Sequence, residues 1–314
     1  MSYLYLLSGD PREHELALTE LWALTGVEGR ERIVVGERAA DVGRAAYVSV
    51  CAELLASGPS PGDLDEALAG RGLTYERFRI TPVLVPPRPA VDGRQVVIDV
   101  AAHIDGSVDL ARPLHELLLV GSEGEWHLGH VVSRSLRGFR AHEHKPHGFS
   151  SSLPARLARC MVNLVAAPGD TIVDPCCGAG TILLEAWAAG MRAVGADLNP
   201  KLAGMTRANL AHFGYPEWVC VADGAHFAAR GDAVVTDPPY GRQSRREEGL
   251  YERLLASFPS LAPRLSLVTA APVEDLLEAA GYAIRRVAYT RRGGFERRVY
   301  VAEVTGHAAQ IPPR

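Results

Sequence analysis

Three apolar runs in the second half of the chain close on an aspartate: Thr171-Ile-Val-Asp174, Ala193-Val-Gly-Ala-Asp197 and Glu217-Trp-Val-Cys-Val-Ala-Asp223. A fourth run, Asp232-Ala-Val-Val-Thr236, leads directly into Asp237. Short apolar runs bounded by turn residues read as buried strands. Helical stretches separate them: Ile182 to Ala189, stopped by Gly190, and Pro200 to His212. Strand, glycine-rich turn and helix in that order open a nucleotide-binding βαβ unit. Open α/β sheets of this kind gather their ligands at the carboxyl ends of the strands. Asp174, Asp197, Asp223 and Asp237 are therefore expected along one sheet edge.

The turn after the first strand is Pro175-Cys176-Cys177-Gly178-Ala179-Gly180-Thr181. Gly178 and Gly180 remove side chains where a ligand must approach the backbone. Asp197 follows at the spacing of a ribose-binding carboxylate, about twenty residues on. The string Asp237-Pro238-Pro239-Tyr240 adds a second chemistry. Its prolines cannot extend the strand, so the chain must turn there. Pro238 offers a carbonyl acceptor, Asp237 a carboxylate and Tyr240 a flat ring. Two acceptors beside a stacking face suit a planar base with an exocyclic amino group. The alternative is a strand-ending turn whose Asp caps the following helix.

At these residues the chain resembles the S-adenosylmethionine-dependent methyltransferases that modify exocyclic amino groups of nucleic-acid bases. It is most similar to the tRNA guanine-N2 methyltransferases with an N-terminal THUMP domain that act on guanosine 10. Lys145-Pro-His-Gly-Phe149 and Leu153 to Leu164 also resemble the segment that leads into that family's catalytic domain. The family usually has an aromatic residue at the position of Cys176, and often Thr at that of Ala179. The resemblance covers residues 145–304 and implies an α/β fold. The expected architecture is a Rossmann-like methyltransferase domain, mostly parallel with a C-terminal antiparallel hairpin, preceded by a smaller α+β THUMP-like module.

The resemblance also implies roles. Asp174 and the Gly178–Thr181 turn, Gly180 included, would face the methionine end of the cofactor, Asp197 the ribose and Asp223 the adenine amino group. Phe149, Cys176, Thr181, Leu198 and Gly224 are further expected cofactor contacts. Asp237, Pro238, Pro239 and Tyr240 would hold the target base. Ribose hydroxyls and an adenine amino group are donors, so carboxylates suit them. This cofactor has no pyrophosphate, so a strict Gly-x-Gly-x-x-Gly is unnecessary, and its absence favours S-adenosylmethionine over NAD.

The chain's 314 residues suffice for two domains. The expected division is an α+β RNA-binding module at 1–130, with an N-terminal ferredoxin-like part left open. A basic linker at 131–154, the methyltransferase domain at 155–304 and a loose tail at 305–314 follow. In the module, Tyr3–Leu7 reads as a strand, Glu13–Leu24 and Pro61–Gly72 as helices, and Val83–Pro89 as a loop. Val96–Ala102, Leu117–Val120 and Glu125–Val132 read as strands. Val108-Asp-Leu, Leu117-Leu-Leu-Val and Gly129-His-Val resemble closing THUMP strands. No apolar run is long enough to span a membrane, and no basic leader opens the chain. Five cysteines without Cys-x-x-Cys spacing argue against disulfides and a metal site, and suit the cytoplasm.

The net charge of −4 hides local contrast. From Arg134 to Arg159 six basic residues face one acid, Glu143, with His142, His144 and His147 read as exposed or RNA-facing loop residues. Arg137, Arg140, Lys145, Arg242, Arg245 and Arg292 are the expected RNA contacts. The expected partner is tRNA or another structured RNA, with no membrane and no metal; an accessory protein stays open. A DNA adenine-N6 or cytosine-N4 methyltransferase is the alternative, since the same string serves any exocyclic amine. The N-terminal module and Gly241 favour RNA.

Overall fold

The computed structural model describes residues 1–149, 152–239, 249–292 and 295–306. Tyr240, Gly241, Arg242 and Arg245 lie outside the described residues, as does the side chain of Arg292. The chain divides into two compact units, one of residues 1–8, 27–43 and 48–135, the other of 9–26, 44–47 and 136–314.

The first unit is a seven-stranded sheet carrying two helices. Its strands are β1 (Tyr3–Leu7), β2 (Ile33–Gly36), β3 (Val48–Gly58), β4 (Leu73–Leu84), β5 (Ile104–Val108), β6 (His115–Ser122) and β7 (Glu125–Arg134), in the order β2-β1-β3-β7-β6-β4-β5. The first helix of the chain, α1 (His14–Thr25), belongs to the second unit. Helices α2 (Pro61–Leu68) and α3 (Gly93–Ala101) pack Leu64, Leu68, Val96 and Val100 against Phe78, Leu117, Leu119 and Trp126. Leu4, Leu6, Val50, Leu118 and Val120 form a separate apolar cluster.

Two expectations for this half change. Val96–Ala102, read as a strand, lies almost wholly in α3. Strands β4 and β5 are parallel neighbours, and a parallel pair needs a crossover, usually helical. Asp92 starts that helix by accepting from the Arg94 N–H, and Val96 and Val100 bury one face while Ile98 stays exposed. Val83 and Leu84, read as loop, close β4 beyond Pro82. Strand β5 accompanies β4 only as far as Phe78, so the later residues of β4 have β6 alone as a neighbour. Proline is tolerated at such an open edge.

The second unit contains α4 (Ala155–Val165), β8 (Thr171–Asp174), α5 (Thr181–Ala188), β9 (Arg192–Asp197), α6 (Pro200–His212), β10 (Val219–Val221), β11 (Ala233–Thr236) and α7 (Leu250–Ser257), then β12 (Arg264–Thr269), α8 (Glu274–Ala279), β13 (Tyr282–Arg292) and β14 (Phe295–Val304). The sheet order is β10-β9-β8-β11-β12-β14-β13. Its first five members are parallel, and β14 and β13 close it as an antiparallel hairpin. This is the Rossmann-like α/β arrangement expected from the strand–helix alternation. Strand order reverses between β8 and β11, and open α/β sheets bind their ligands at the carboxyl ends of the strands at such a switch point.

Helix α1 is fixed to this unit by a buried acid. Glu20 Oε1 accepts from the Ala46 N–H and from Asn163 Nδ2, each at 2.8 Å, and Oε2 accepts from the Tyr47 N–H at 2.6 Å. The Arg286 guanidinium lies 4.5 Å over the Trp22 ring, and the Tyr289 N–H donates to Glu15 Oε2. A segment that reads as part of the first-half module thus braces α4 and the edge strand β13.

Candidate active site

Strand β8 ends at Asp174, which is almost fully buried, at 1 % exposure. Its Oδ1 accepts from Thr236 Oγ1 at 2.8 Å and from the Cys176 N–H at 3.2 Å. Burial nonetheless pushes its pKa up to about 8, with Asp237 and Asp197 adding to the rise. Burial, followed by the charge of Asp174, likewise raises the Cys176 thiol. Asp174 therefore senses both Asp237 and Asp197 at the carboxyl ends of the strands.

The turn that follows is held open by glycine. Gly178 and Gly180 have φ of +54° and +79°, where a side chain would be strained. A Cβ on Gly180 would also come within 2.5 Å of Thr206 Cγ2. Asp197 closes β9 and secures the turn, its Oδ2 accepting from the Gly178 N–H at 2.9 Å. Its Oδ1 accepts from the Asn199 N–H at 2.8 Å. Leu198 beside it is exposed.

Strand β10 is shorter than the run Glu217–Asp223 suggested. Asp223 lies two residues beyond it, where its Oδ1 accepts from the Ala225 N–H at 3.0 Å and starts a single 3-10 turn. That bond and one with the His226 ring lower its pKa. Gly224 sits where a Cβ would meet the Pro175 carbonyl at 2.6 Å, so the two turns touch through backbone. Asp237 follows β11, with Pro238 buried and Pro239 exposed. The next described helix, α7, is preceded by Gly249 at its N-cap, so Asp237 does not cap it.

Residues 138–149 form a strap leading to this turn. His142, expected in an exposed loop, is buried instead: its Nδ1 lies 2.6 Å from Glu185 Oε1, and its ring meets Phe213 edge-on at 4.6 Å. Arg159 pairs with the other Glu185 oxygen at 2.7 Å. A buried carboxylate on α5 needs such partners. His144 and His147 are exposed, as are Arg137 and Arg140; Lys145 is partly buried, which lowers its pKa. The Phe149 ring stands 3.8 Å from where a Gly178 Cβ would be.

Two residues of α6 escaped the sequence reading. Thr206 Oγ1 donates to the Gly178 carbonyl at 2.6 Å. Asn209 Nδ2 donates to the carbonyls of His147 and Ala179, at 2.8 and 2.9 Å, while its Oδ1 accepts from the His147 N–H at 2.9 Å. Their only signal was a pair of polar residues three apart in a helix.

The arginines near the C-terminus are largely engaged within the unit. Arg285 pairs with Glu303 and Arg291 with Glu296, while Arg298 lies 5.7 Å over the Tyr289 ring. Among the described residues, no cluster of three or more His, Cys, Asp or Glu could hold a metal, and no helix is long and apolar enough to cross a membrane.

Comparison with known proteins agrees with this geometry. A family model described as RMKL-like, methyltransferase domain, matches residues 142–296, and one described as DNA methylase matches residues 18–207. The tRNA (guanine(10)-N2)-dimethyltransferase of Methanothermobacter thermautotrophicus is 41% identical over 143 residues, 42% of this chain and 43% of that protein. The tRNA (guanine(6)-N2)-methyltransferase of Thermus thermophilus is 32% identical over 170 residues, 48% of this chain and 50% of that protein. The chain spans about half the length of the curated relatives it matches. The crystal structure of TrmN from Thermus thermophilus aligns over 97% of this chain and 100% of its own, with a TM-score of 0.51 and 24% identity, which shows a shared fold. The chain belongs to the DNA methylase family whose model spans residues 18–207, and its residues 142–296, which include the sheet edge where the aspartates gather, are similar to the RMKL-like methyltransferase domain.

Proposed function

We propose that this protein is an S-adenosylmethionine-dependent methyltransferase acting on the exocyclic N2 amino group of a guanosine in tRNA. The observation that carries the reading is the Asp237-Pro238 turn at the point where strand order reverses, beside Asp174, whose proton affinity is raised by burial and further by Asp237 and Asp197. Such a cluster favours a cationic ligand. Asp174, the Gly178–Thr181 turn and Phe149 would hold the methionine end of the cofactor, Asp197 the ribose and Asp223 the adenine. Bound there, the cofactor supplies a methyl group on positively charged sulfur, a leaving group that needs no acid.

The remaining work falls on the nucleophile. Guanine N2 is amide-like, its lone pair spread into the ring. Asp237 and the Pro238 carbonyl accept its two hydrogens and favour a more tetrahedral nitrogen. Asp237 then stabilises the positive charge that develops on alkylation. The proton leaves to Asp237 or to water. Tyr240 stacks on the base, with such stacking worth ~1–3 kcal/mol. A base buried in a helix must first be extruded.

The substrate class rests on the relatives, whose names agree on guanine N2 in tRNA and differ in position and extent of methylation. Exposed Arg137 and Arg140, with Arg242, Arg245 and Arg292, supply phosphate contacts, and the THUMP-like module grips the RNA. The cytoplasm suits the free cysteines. The DNA-methylase match supports a second reading, transfer to an exocyclic amine in DNA, although its span ends before Asp237. Transfer from labelled S-adenosylmethionine to unmodified bulk tRNA, with duplex DNA alongside, decides between them by nucleoside analysis. Label in N2-methylguanosine supports the first reading, and label in DNA adenine or cytosine supports the second. No label in either, with cofactor bound, overturns both.

A further inference from the structure

We infer that Asn209 is a positioning residue that fastens the glycine-rich turn to the strap carrying Phe149, and that it thereby sets affinity for the cofactor. This rests on the cofactor reading above. The side chain is fully buried on α6, yet all three of its described bonds leave the helix. One amide hydrogen goes to Ala179 within the turn, the other to the carbonyl of His147, and its oxygen takes the His147 N–H. A single planar group thus holds two segments that are far apart in sequence, and both flank Gly178. Thr206, one turn earlier on the helix, holds the Gly178 carbonyl.

Only an amide of this length meets the demand, because the site needs two donors and one acceptor. Aspartate keeps the acceptor but turns a carboxylate toward two carbonyls. The strap has another anchor, His142 on Glu185, so that buried hydrogen bond remains when Asn209 changes. What shifts is the spacing between Phe149 and the turn, where the Phe149 ring tip stands 3.8 Å from the position of a Gly178 Cβ.

The test uses the full chain and S-adenosylmethionine. In Asn209→Asp, the KM for S-adenosylmethionine and the Kd for S-adenosylhomocysteine rise by about tenfold or more, equivalent to ~1.4 kcal/mol. The KM for tRNA and kcat at saturating cofactor stay within about threefold on the same scale. Asn209→Ser, which shortens the side chain without burying a charge, gives a smaller rise of the same kind and serves if the Asp variant does not fold. A purely structural role would lower the melting temperature and leave the Kd of the folded protein unchanged, and that result overturns the inference. Equal losses in both KM values also overturn it. If the wild-type protein itself fails to bind S-adenosylhomocysteine, the cofactor reading fails first.

Discussion

Replacing Asp174 by Asn should make the protein without cofactor more stable, and increasingly so as pH rises from 6 to 8. In the folded state the Asp174 carboxyl titrates near 8, chiefly because it is buried. In the unfolded chain it titrates near 3.9, as an ordinary aspartate. Between these values the folded protein holds a proton that the unfolded chain has lost. Stability therefore falls as pH rises through the window, at up to about 1.4 kcal/mol per pH unit. Integrating from pH 6 to 8 for a group titrating near 8 gives about 2 kcal/mol. Asparagine has no proton to lose and can still accept from Thr236, so its advantage over Asp should grow by that amount. Urea melts of both proteins at pH 6, 7 and 8 measure the gap. At roughly 2–4 °C per kcal/mol for a unit of this size, thermal melts should diverge by several degrees. A gap constant across the three pH values would show that Asp174 is ionised throughout and refute the argument.

Three other perturbations probe separate parts of the site and its support. Asp237→Ala should keep the Kd for S-adenosylhomocysteine within about threefold yet lower kcat by about 10²–10³, as expected for losing charge stabilisation in the transition state; full turnover in a methyl-transfer assay would sink the mechanism. Gly195→Ala places a Cβ 2.6 Å from Leu183 Cδ1 and 3.1 Å from Cys177 Cβ, and should cost about 1–3 kcal/mol in a denaturant melt. Glu20→Ala strips partners from two backbone N–H groups and from Asn163, each orphan costing roughly 1–3 kcal/mol; a melt shifted by less than ~1 kcal/mol would show that water replaces the carboxylate.

The elements that could be read in advance are those whose determinants are local. Helix α6 begins where Asn199 accepts from the Lys201 N–H ahead of Pro200, and both signals sit in adjacent residues. Strands β8, β9 and β11 are apolar because helices cover both sheet faces, so their aspartates mark the ends. Helix α3 was misread because Val96 to Val100 fits both periods, and only the parallel pairing of β4 with β5 decides between them. Polar anchors were hidden for a different reason. His142 finds its carboxylate 43 residues away, and Glu20 reaches Asn163 across 143. Periodicity carries no record of such partners, so a buried histidine looks like a loop histidine until the fold is known.

The placement of α1 bears on the order in which the chain can fold. Residues 9–26 and 44–47 leave a ribosome before the first unit is complete, yet their partners Asn163, Arg286 and Tyr289 are made much later. The first unit can close once residue 135 has emerged, whereas α1 must wait for α4 and then for β13 to be synthesised. A fragment starting at residue 136 would contain every aspartate of the site but leave Asn163 without its carboxylate partner and β13 without α1. The unit that carries the aspartates is therefore completed by residues 9–26 and 44–47, which are made more than a hundred residues before its sheet.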